Sequence, residues 1–400
     1  MIEFDEKPSQ LGTNIKVIGV GGAGGNAINA MIDNNLFGVE FIAANTDSSD
    51  LAKSKANMKL QLGRKLTRGL GTGANPECGA RSAEESKDEI KSHLEGADML
   101  FIAAGMGGGT GTGAAPVIAK IAREMGILTL GIVTSPFPFE GFKRASNADY
   151  GIKNLREYVD TLIVIPNEKL AEIYSGATLI EAFHQADNVL YEAAKAVSDI
   201  ITIPGYMNVD FADVKAVMQN MGFALMGTGT AEGENRAIMA ARSAIDNPLL
   251  SDISLQGCQS LLLNITAGHD IKMSEYSEIA NVIVSETGKQ ANIIMGIILK
   301  EDMAGKIAVT IIATGLDKQE DEKVVDFPKI PTNTHKPTVI YKSPEPPKKE
   351  TESDLQDILD ILNSNDLTNN PKPISKPSAE ETSRLQPLRT DVPSFLKALD

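Results

Sequence analysis

The sequence predicts an α/β fold: a parallel-sheet domain, a long central helix, a smaller α/β domain, and a disordered linker ending in a short peptide. Short apolar runs typical of buried strands alternate with amphipathic helical patterns, which indicates parallel strands joined by helices. Glycine-rich loops directly follow several of these apolar runs. From about Asp317 the apolar periodicity stops, and Pro, Lys, Glu, Thr and Asn dominate, as in disordered segments.

These composition changes divide the chain into six parts. We expect a flexible N-terminal extension over residues 1–13, the first domain over 14–177, and the central helix with the loop after it over 178–222. The second domain follows over 223–317, the disordered linker over 318–388 and the terminal peptide over 389–400.

The overall composition limits the possible functions. The chain has 400 residues, of which 42% are hydrophobic, enough for two cores of ordinary size. Its net charge of −15 argues against nucleic-acid binding and against attraction to anionic lipid. Two distant cysteines and four scattered histidines predict a cytosolic protein without disulfides or a zinc site. No apolar run approaches the ~20 residues of a membrane span, so we expect no direct insertion.

The first predicted strand ends in a glycine loop. An apolar strand at residues 14–20 leads into Gly21, and a helix with Ile28 and Met31 on its apolar face follows. From Gly19 to Gly24 the residues fit G-x-G-x-x-G, the dinucleotide fingerprint of Rossmann-like sheets. This motif alone is weak, because the second strand, residues 39–44, runs into Asn-Thr-Asp at 45–47 instead of ending on an acidic residue. A dinucleotide-dependent oxidoreductase therefore stays open as an alternative.

The longest glycine loop follows a buried apolar strand at residues 99–103. Residues 105–113 read Gly-Met-Gly-Gly-Gly-Thr-Gly-Thr-Gly, and a helix is predicted from Ala114 to the glycine at 126. Glycines let backbone N–H groups converge on one point, where a helix N-terminus favours negative charge, and two threonines add hydroxyl donors. The stretch predicts a phosphate cradle. It lacks the lysine of a Walker A loop, so an ordinary P-loop NTPase is excluded.

The rest of the first domain repeats this arrangement. A third small-residue loop at 69–76 precedes a polar helix at 82–94, and strands are predicted at 128–134 and 161–167. Between them lie a Pro-Phe-Pro-Phe-Glu-Gly stretch at 136–141 and a basic pair at 143–144. Because carboxyl ends of parallel strands meet at one rim of the sheet, several cradles there suit a nucleoside triphosphate.

The central helix begins with a capping box. Thr178 is the predicted N-cap and Glu181 its partner, and the helix runs to about Thr202 with one buried stripe. Phe183 and Asp187 lie one turn apart on one face. From spacing alone they are either a core ring and a solvated carboxylate or two ligand-binding side chains.

The loop after this helix is also open to two interpretations. Asn208, Asp210 and Asp213 precede or begin a helix that runs to about residue 222. Carboxylates there cap a helix and favour its dipole, but they could equally present an anionic tip that polarises water or holds a cation.

The second domain shows no comparable cradle. Strands are predicted at 223–228, 259–265, 291–299 and 306–313, with helices at 232–246 and 274–285. In the linker, residues 353–362 carry the spacing of a short amphipathic helix. Near the end of the sequence, residues Asp391 to Lys397 read Asp-Val-Pro-Ser-Phe-Leu-Lys. An apolar peptide at the end of a disordered linker is typical of a segment that binds partner proteins.

Together these motifs resemble the tubulin/FtsZ family of GTPases, and within it the bacterial cell-division branch. The glycine stretch at 107–113 is similar to the signature motif of the family. The segments at 45–47, 136–141 and 208–213 and the closing peptide occur in the order of the family. The resemblance covers about residues 14–317 and the last dozen.

The resemblance implies a GTP-binding and GTP-hydrolysing protein whose site residues can be assigned by matching motifs. It implies that Glu140 and Arg144 bind the ribose and the neighbouring phosphate. It also implies that Asn167, Phe183 and Asp187 bind guanine and that Ala74 lies near the γ-phosphate. The residues implied to hold phosphates are Gly22, Ala23, Gly24, Gly25, Asn26, Gly108, Gly109, Thr110 and Gly111.

The resemblance also implies a mechanism and partners. Asn208, Asp210 and Asp213 would enter the nucleotide site of the next subunit in a head-to-tail filament, with Mg²⁺ neutralising charge. The implied location is the cytoplasm at the mid-cell division site. Residues 391–397 would bind membrane adaptors and division regulators.

The chain departs from the family pattern in two places. Ser135 stands where a basic residue is common, and the closing peptide carries Val392 and Lys397 where Ile or Leu and Arg are common. A nucleotide-binding scaffold without hydrolysis is a further alternative, and Asn208, Asp210 and Asp213 argue against it.

Overall fold

A computed structural model describes residues 12–203, 209–250, 255–287 and 291–316. The chain divides into two compact units, Met1–Asp326 and Phe327–Asp400, and every described residue belongs to the first. The linker, its segment at 353–362 and the closing peptide at 391–397 lie outside the described residues.

The described residues form ten strands and twelve α-helices. The strands are β1 (Ile15–Val20), β2 (Val39–Asn45), β3 (Met58–Gln61), β4 (Met99–Gly105), β5 (Leu128–Ser135), β6 (Thr161–Pro166), β7 (Gly222–Glu232), β8 (Ser260–Ala267), β9 (Asn292–Leu299) and β10 (Lys306–Thr314). The helices are α1 (Gly21–Asp33), α2 (Ser48–Lys53), α3 (Arg64–Thr67), α4 (Pro76–Glu85), α5 (Lys87–Leu94), α6 (Thr110–Glu124), α7 (Phe142–Arg156), α8 (Asn167–Ile173), α9 (Leu179–Thr202), α10 (Phe211–Met218), α11 (Arg236–Ile245) and α12 (Met273–Thr287).

All ten strands form one sheet in the order β3-β2-β1-β4-β5-β6-β7-β10-β8-β9. Neighbours from β3 to β7 pair in parallel, β10 pairs antiparallel with β7 and β8, and β8 pairs in parallel with β9. The predicted α/β class with a parallel first region is confirmed. The sheet continues through the predicted domain boundary where Thr161 of β6 pairs with Gly222 of β7, so the division into two domains stays a prediction.

The helices cover both faces of the sheet and bury separate clusters. On one face α1 and α9 pack around Phe101 and Leu130, and on the other α4, α5 and α6 pack around Ile102 and Leu162. Alternate residues of a strand point to opposite faces, so the neighbours Phe101 and Ile102 serve different clusters.

The central helix α9 has its predicted capping box, with Thr178 and Glu181 exchanging hydrogen bonds. The predicted buried stripe, however, begins only at Ala186. Leu179 is 59% exposed and Phe183 43% exposed. The first turns of α9 therefore project beyond the core, and Phe183 and Ala186 border the cavity described below.

Five elements escape prediction from the sequence. They are β3, α2, α3, α7 and α8. The helix predicted at 82–94 is two helices that meet at Ser86, whose hydroxyl accepts a hydrogen bond from the Gly63 N–H. Helix α6 starts at Thr110, so the end of the long glycine loop already forms its first turn.

Candidate functional site

A cavity of about 340 Å³ opens at the carboxyl ends of β1, β4 and β5, the rim at which the glycine loops were expected. It is lined by Val20, Gly22, Ala23, Asn26, Thr72, Gly105, Met106, Gly108, Gly109, Thr110, Gly111, Thr134, Ser135, Pro136, Glu140, Arg144, Asn167, Phe183, Ala186 and Asp187.

Two helix N-termini meet at one end of this cavity. Helix α1 begins at Gly21 and α6 at Thr110, and neither first turn is capped by a side chain. A Cβ atom on Gly21 would lie 2.9 Å from the backbone nitrogen of Gly111, so only glycine lets the two helices start this close together. Uncapped N–H groups and two aligned helix dipoles make this end a site for anions such as phosphates.

The predicted phosphate ligands do not all face the cavity. Gly22, Ala23, Asn26 and the four residues from Gly108 to Gly111 line it. Gly24 and Gly25 are not among the lining residues. A Cβ on Gly24 would lie 2.4 Å from the carbonyl oxygen of Ala103 in β4, so this glycine lets α1 pack against the sheet.

Three threonine hydroxyls join the separate loops around the phosphate end. The Thr110 hydroxyl lies 2.7 Å from that of Thr46 and 3.4 Å from that of Thr72. Thr112, expected to add a donor, instead accepts a hydrogen bond from the Gly107 N–H at 2.9 Å. Thr46 and Thr72 were missed from the sequence, although both lie in segments that the motif search had marked.

Ala74, matched to the γ-phosphate, is exposed on the loop before α4 and does not line the cavity itself. Its φ of 59° is left-handed, a conformation unusual for alanine. Asn75 accepts hydrogen bonds from the backbone of Glu77 and Cys78 and so caps α4.

The opposite end of the cavity carries an aromatic side chain and two acceptors. Phe183 meets Phe137 edge to face with ring centroids 5.2 Å apart, and Phe137 stacks on Phe139 at 5.1 Å. Asn167 is buried, and its Oδ1 atom has no hydrogen-bond partner within the described residues. An unpaired buried acceptor is costly and indicates a ligand that donates to it.

Asp187 is the second acceptor at this end. Burial raises the pKa of its carboxyl group to about 6, while the nearby His184 acts in the opposite direction. A ligand with N–H donors would favour the ionised form.

Glu140 and Arg144 lie between the two ends. Glu140 accepts a hydrogen bond from the Phe137 N–H at 2.9 Å and forms an ion pair with Arg144 one helical turn further along. Arg144 is half exposed, so its guanidinium group is free to contact a ligand in the cavity as well.

The predicted catalytic residues lie elsewhere. Asp210 is the N-cap of α10 and accepts a hydrogen bond from the Asp213 N–H at 2.8 Å. Both residues are exposed, and neither lines the cavity of its own chain. Asn208 lies outside the described residues.

These features are those of a nucleotide-binding α/β protein, in which one cavity has an anion-binding end and an end that carries an aromatic ring and two acceptors. Its residues 14–175 match the model of the Tubulin/FtsZ family, GTPase domain, and residues 222–317 match the FtsZ family, C-terminal domain. The chain therefore belongs to the tubulin/FtsZ family, in its FtsZ branch. It is a tubulin-like GTPase of cell division that binds guanine nucleotide, as the sequence resemblance implied.

Individual relatives agree with this placement. The cell division protein FtsZ of Pseudomonas aeruginosa is 55% identical over 315 residues, which cover 78% of this chain and 80% of that protein. A solved FtsZ dimer of M. jannaschii is 42% identical, with a TM-score of 0.74 over 78% of this chain and 90% of the other. CetZ2 from Haloferax volcanii, solved as a GTPγS-bound protofilament, shares the fold at 22% identity and a TM-score of 0.65, covering 77% and 96%.

Because the chain belongs to this family, the two alternative functions, an oxidoreductase and a scaffold without hydrolysis, are excluded. Membership of this family also implies a cytoplasmic protein. Within the stretch from Gly19 to Gly24, which suggested a dinucleotide fingerprint, Val20, Gly22 and Ala23 line the same cavity as the longer loop. In the part of the chain that the structure describes, no helix is both long and apolar enough to span a bilayer.

Proposed function

We propose that the cavity binds GTP with its phosphates at the N-termini of α1 and α6 and its base at Asn167, Phe183 and Asp187. Glu140 and Arg144 then contact ribose and the neighbouring phosphate. The observation that carries this assignment is the buried Oδ1 atom of Asn167, which has no hydrogen-bond partner among the described residues and shares its cavity with Asp187 and the uncapped N-termini of α1 and α6.

This base end favours guanine over adenine for a chemical reason. Guanine presents the donors N1–H and N2–H₂ on one edge, which two acceptors such as Asp187 and Asn167 can satisfy. Adenine presents the N1 lone pair on that edge, which a carboxylate repels. Discrimination is strong when the wrong base leaves buried polar groups unpaired. The exposed face of Phe183 provides a surface for stacking.

We propose that the site is completed by the next subunit of a head-to-tail filament. Asp210 and Asp213 are exposed and do not line their own cavity, as expected of residues that act on another copy. Such an interface is heterologous and propagates into a filament. Solved relatives that form a dimer and a protofilament support this arrangement.

In the reaction, water attacks the γ-phosphorus of GTP. A bond forms from the water oxygen to the γ-phosphorus, and the bond to the oxygen that bridges the β- and γ-phosphates breaks. GDP leaves with that oxygen. The Asp213 carboxylate of the neighbour orients the water and accepts its proton, while Asp210 holds the first turn of α10 in place through its cap. The helix N-termini stabilise negative charge on the phosphates.

Mg²⁺ fits this site as a companion of the nucleotide. The described residues contain no group of three or more His, Cys, Asp or Glu side chains arranged to hold a metal ion. Mg²⁺ commonly binds through phosphate oxygens, waters and one or two carboxylates, so the phosphates would supply most ligands. When bound, it would neutralise charge that develops on the phosphate oxygens.

We further propose that the filaments assemble in the cytoplasm into the mid-cell division ring. Residues 391–397, at the end of the linker, would join them to membrane adaptors and division regulators. Deleting residues 391–400 is then expected to abolish adaptor binding while GTP hydrolysis continues. Unchanged adaptor affinity in a pull-down or titration would contradict this part of the proposal.

The function is tested by measuring GTP hydrolysis and light scattering together as protein concentration rises. We expect a threshold above which both signals increase, because hydrolysis requires the interface. Asp213→Ala should keep GTP binding and lose turnover. Turnover per molecule that stays constant across a wide dilution series would contradict a site built between subunits.

A further inference from the structure

Helix α7 packs along the glycine loop through one face. The backbone carbonyl oxygen of Arg144 would lie 2.9 Å from a Cβ on Gly107, and a Cβ on Gly151 would lie 2.6 Å from the Thr112 side chain. Asn147 lies between these two contacts, one turn after Arg144 and one turn before Gly151. Asn147 is not among the predicted site residues, because this residue lies in a helix that the sequence did not predict.

The side-chain amide of Asn147 connects two loops. Its Nδ2 atom donates to the carbonyl oxygen of Ala74 at 3.3 Å and to the carbonyl oxygen of Gly107 at 3.2 Å. A primary amide carries two N–H donors, so both bonds can form at once. One hydrogen bond therefore reaches the loop before α4, and the other reaches the loop before α6.

The loop before α4 needs such a contact to hold its shape. Gly69, Gly71, Gly73 and Ala74 all have positive φ, and Ala74 does so without the freedom of glycine. Strained residues of this kind persist only where neighbouring groups hold them. Contacts through the Thr72 side chain fix one part of the loop, and the bond from Asn147 fixes its outermost residue.

The glycine loop has other supports. The Gly107 N–H donates to the Thr112 hydroxyl at 2.9 Å, and the Met106 N–H donates to the Thr134 carbonyl at 2.9 Å. Loss of the Asn147 amide therefore leaves this loop anchored at two points. In the loop that carries Ala74, the Asn75 N–H donates to the Thr72 carbonyl at 3.2 Å, and the bond from Asn147 holds the Ala74 carbonyl itself.

We propose that Asn147 is a positioning residue of the GTPase site. It holds the Ala74 loop over the γ-phosphate end, and so contributes to the preference for GTP over GDP. This inference rests on the proposed function, in which Ala74 lies near the γ-phosphate. Asn147 acts through the Ala74 backbone and has no contact with the reacting atoms assigned to it.

The chemistry of the amide decides which replacements fail. Leucine shares the branching at Cγ, is somewhat larger and has no donor. Aspartate has the same shape, but an ionised carboxylate only accepts hydrogen bonds and would face two carbonyl oxygens. Both variants lose the two hydrogen bonds that connect the loops, and the two variants differ in charge. Asn154, on the same helix, donates to the Tyr150 carbonyl of its own helix and provides a matched control.

The test measures GTP and GDP affinity of full-length protein by fluorescence titration, at concentrations below the assembly threshold. Loss of two hydrogen bonds is expected to weaken GTP binding by about tenfold in Asn147→Leu and Asn147→Asp. GDP affinity should change by less than about twofold, because it lacks the phosphate that the loop covers. Asn154→Leu should leave both affinities unchanged.

Equal losses of GTP and GDP affinity would overturn the inference, since they would indicate a general disturbance of the cavity. GTP and GDP affinities that both stay at the wild-type values in the two Asn147 variants would overturn it as well. If Asn147→Leu does not fold, Asn147→Asp still gives the answer. Wild-type hydrolysis that rises with protein concentration upholds the proposed function independently of any result at Asn147.

Discussion

The choice of base is decided at single residues. In the proposed complex Asp187 and Asn167 offer acceptors to the edge of the base, and the Oδ1 atom of Asn167 is buried without a hydrogen-bond partner among the described residues. Exchanging an acceptor for a donor at one of these positions should therefore change the preferred base without moving the phosphates.

Asp187→Asn tests this choice. The asparagine amide would accept from N1–H of xanthine and donate to its C2 carbonyl oxygen, whereas guanine offers N2–H₂ at that point. We expect GTP affinity to fall by about 100-fold and xanthosine triphosphate to become the preferred ligand, because a mismatched buried polar pair costs a few kcal/mol. Competition binding measures both. Retained GTP preference would show that Asp187 does not face the base.

The raised pKa of Asp187 makes a prediction about pH. In the free protein burial raises this pKa to about 6, whereas N–H donors of bound guanine favour the ionised carboxylate. GTP affinity should therefore rise with pH through this range, by about tenfold between pH 5 and pH 7. The stability of the free protein changes with pH in the opposite direction. Because burial disfavours the ionised carboxylate, the free energy of unfolding falls as pH rises from about 4 to 6.

Isothermal titration across this range measures the effect, with Asp187→Asn as the control for titration of the phosphates. The wild-type protein should show the steeper pH dependence. Identical curves for the two proteins would mean that another group is responsible.

Sequence and structure differ most at the scale of single residues. From spacing alone, Phe183 and Asp187 were undecided between core and ligand roles, and only the family resemblance assigned them to guanine. Thr46, Thr72 and Asn147 were missed because their contacts join segments that are distant in sequence. Such contacts depend on how the loops meet at the sheet rim, which local pattern does not encode.

At the scale of elements, two adjacent glycines in α1 have different tasks. A Cβ on Gly24 would lie 2.4 Å from the Ala103 carbonyl oxygen, whereas a Cβ on Gly25 would meet nothing within 4 Å. Gly24→Ala should therefore lower the free energy of unfolding by about 1–3 kcal/mol through overpacking. Gly25→Ala should leave it unchanged or raise it by up to about 1 kcal/mol, since alanine favours helix.

Chemical denaturation of the two variants side by side measures this difference. Because both carry the same substitution in the same helix, the comparison isolates the contact between α1 and β4. Equal stability of the two variants would contradict the packing role assigned to Gly24.

A buried arginine joins α11 to α12 and the loop between β8 and α12. Arg236 is 7% exposed at its side chain and pairs with Asp270 at 2.7 Å and Glu275 at 2.7 Å. Arg236→Met should lower the free energy of unfolding at pH 7, because Glu275 and the half-exposed Asp270 lose their partner. The exposed Arg242→Met on the same helix is the control.

The pH dependence of this loss has a defined sign. Hydrogen bonds from Arg236 lower the pKa of both Asp270 and Glu275 in the folded protein. Their contribution is therefore present above the ordinary carboxyl pKa of about 4 and is lost as pH falls through the lowered values. Urea denaturation should show the difference between wild type and Arg236→Met shrinking below pH 4. A constant difference would rule out the ion pairs as its source.

Elements with a clear apolar pattern were predictable, and those without one were not. The strands of the parallel region and α9 follow from apolar runs and a capping box. Helix α7 was missed because only Ala148, Gly151 and Leu155 of its fifteen residues are buried, which leaves little apolar periodicity. β3 has four residues, and its pairing with β2 rather than its own sequence defines it.

At the scale of the whole molecule, one sheet connects the nucleotide cavity to the region that carries β7 to β10. Helix α9 runs beside this sheet from Phe183 at the cavity toward the segment that precedes Asp210. The cavity and the exposed carboxylates of α10 thus belong to one continuous arrangement of strands and helices. We propose that the cavity of one subunit and the α10 carboxylates of the next subunit act on the same nucleotide.

Mixing two inactive variants tests that claim most directly. Asp213→Ala keeps the cavity but lacks the carboxylate, and Asp187→Ala keeps the carboxylate but lacks the base contact. In an equimolar mixture, about a quarter of head-to-tail contacts join an intact cavity to an intact carboxylate, so hydrolysis should return to about a quarter of the wild-type rate. A mixture no more active than the sum of its separate components would contradict a site shared between subunits.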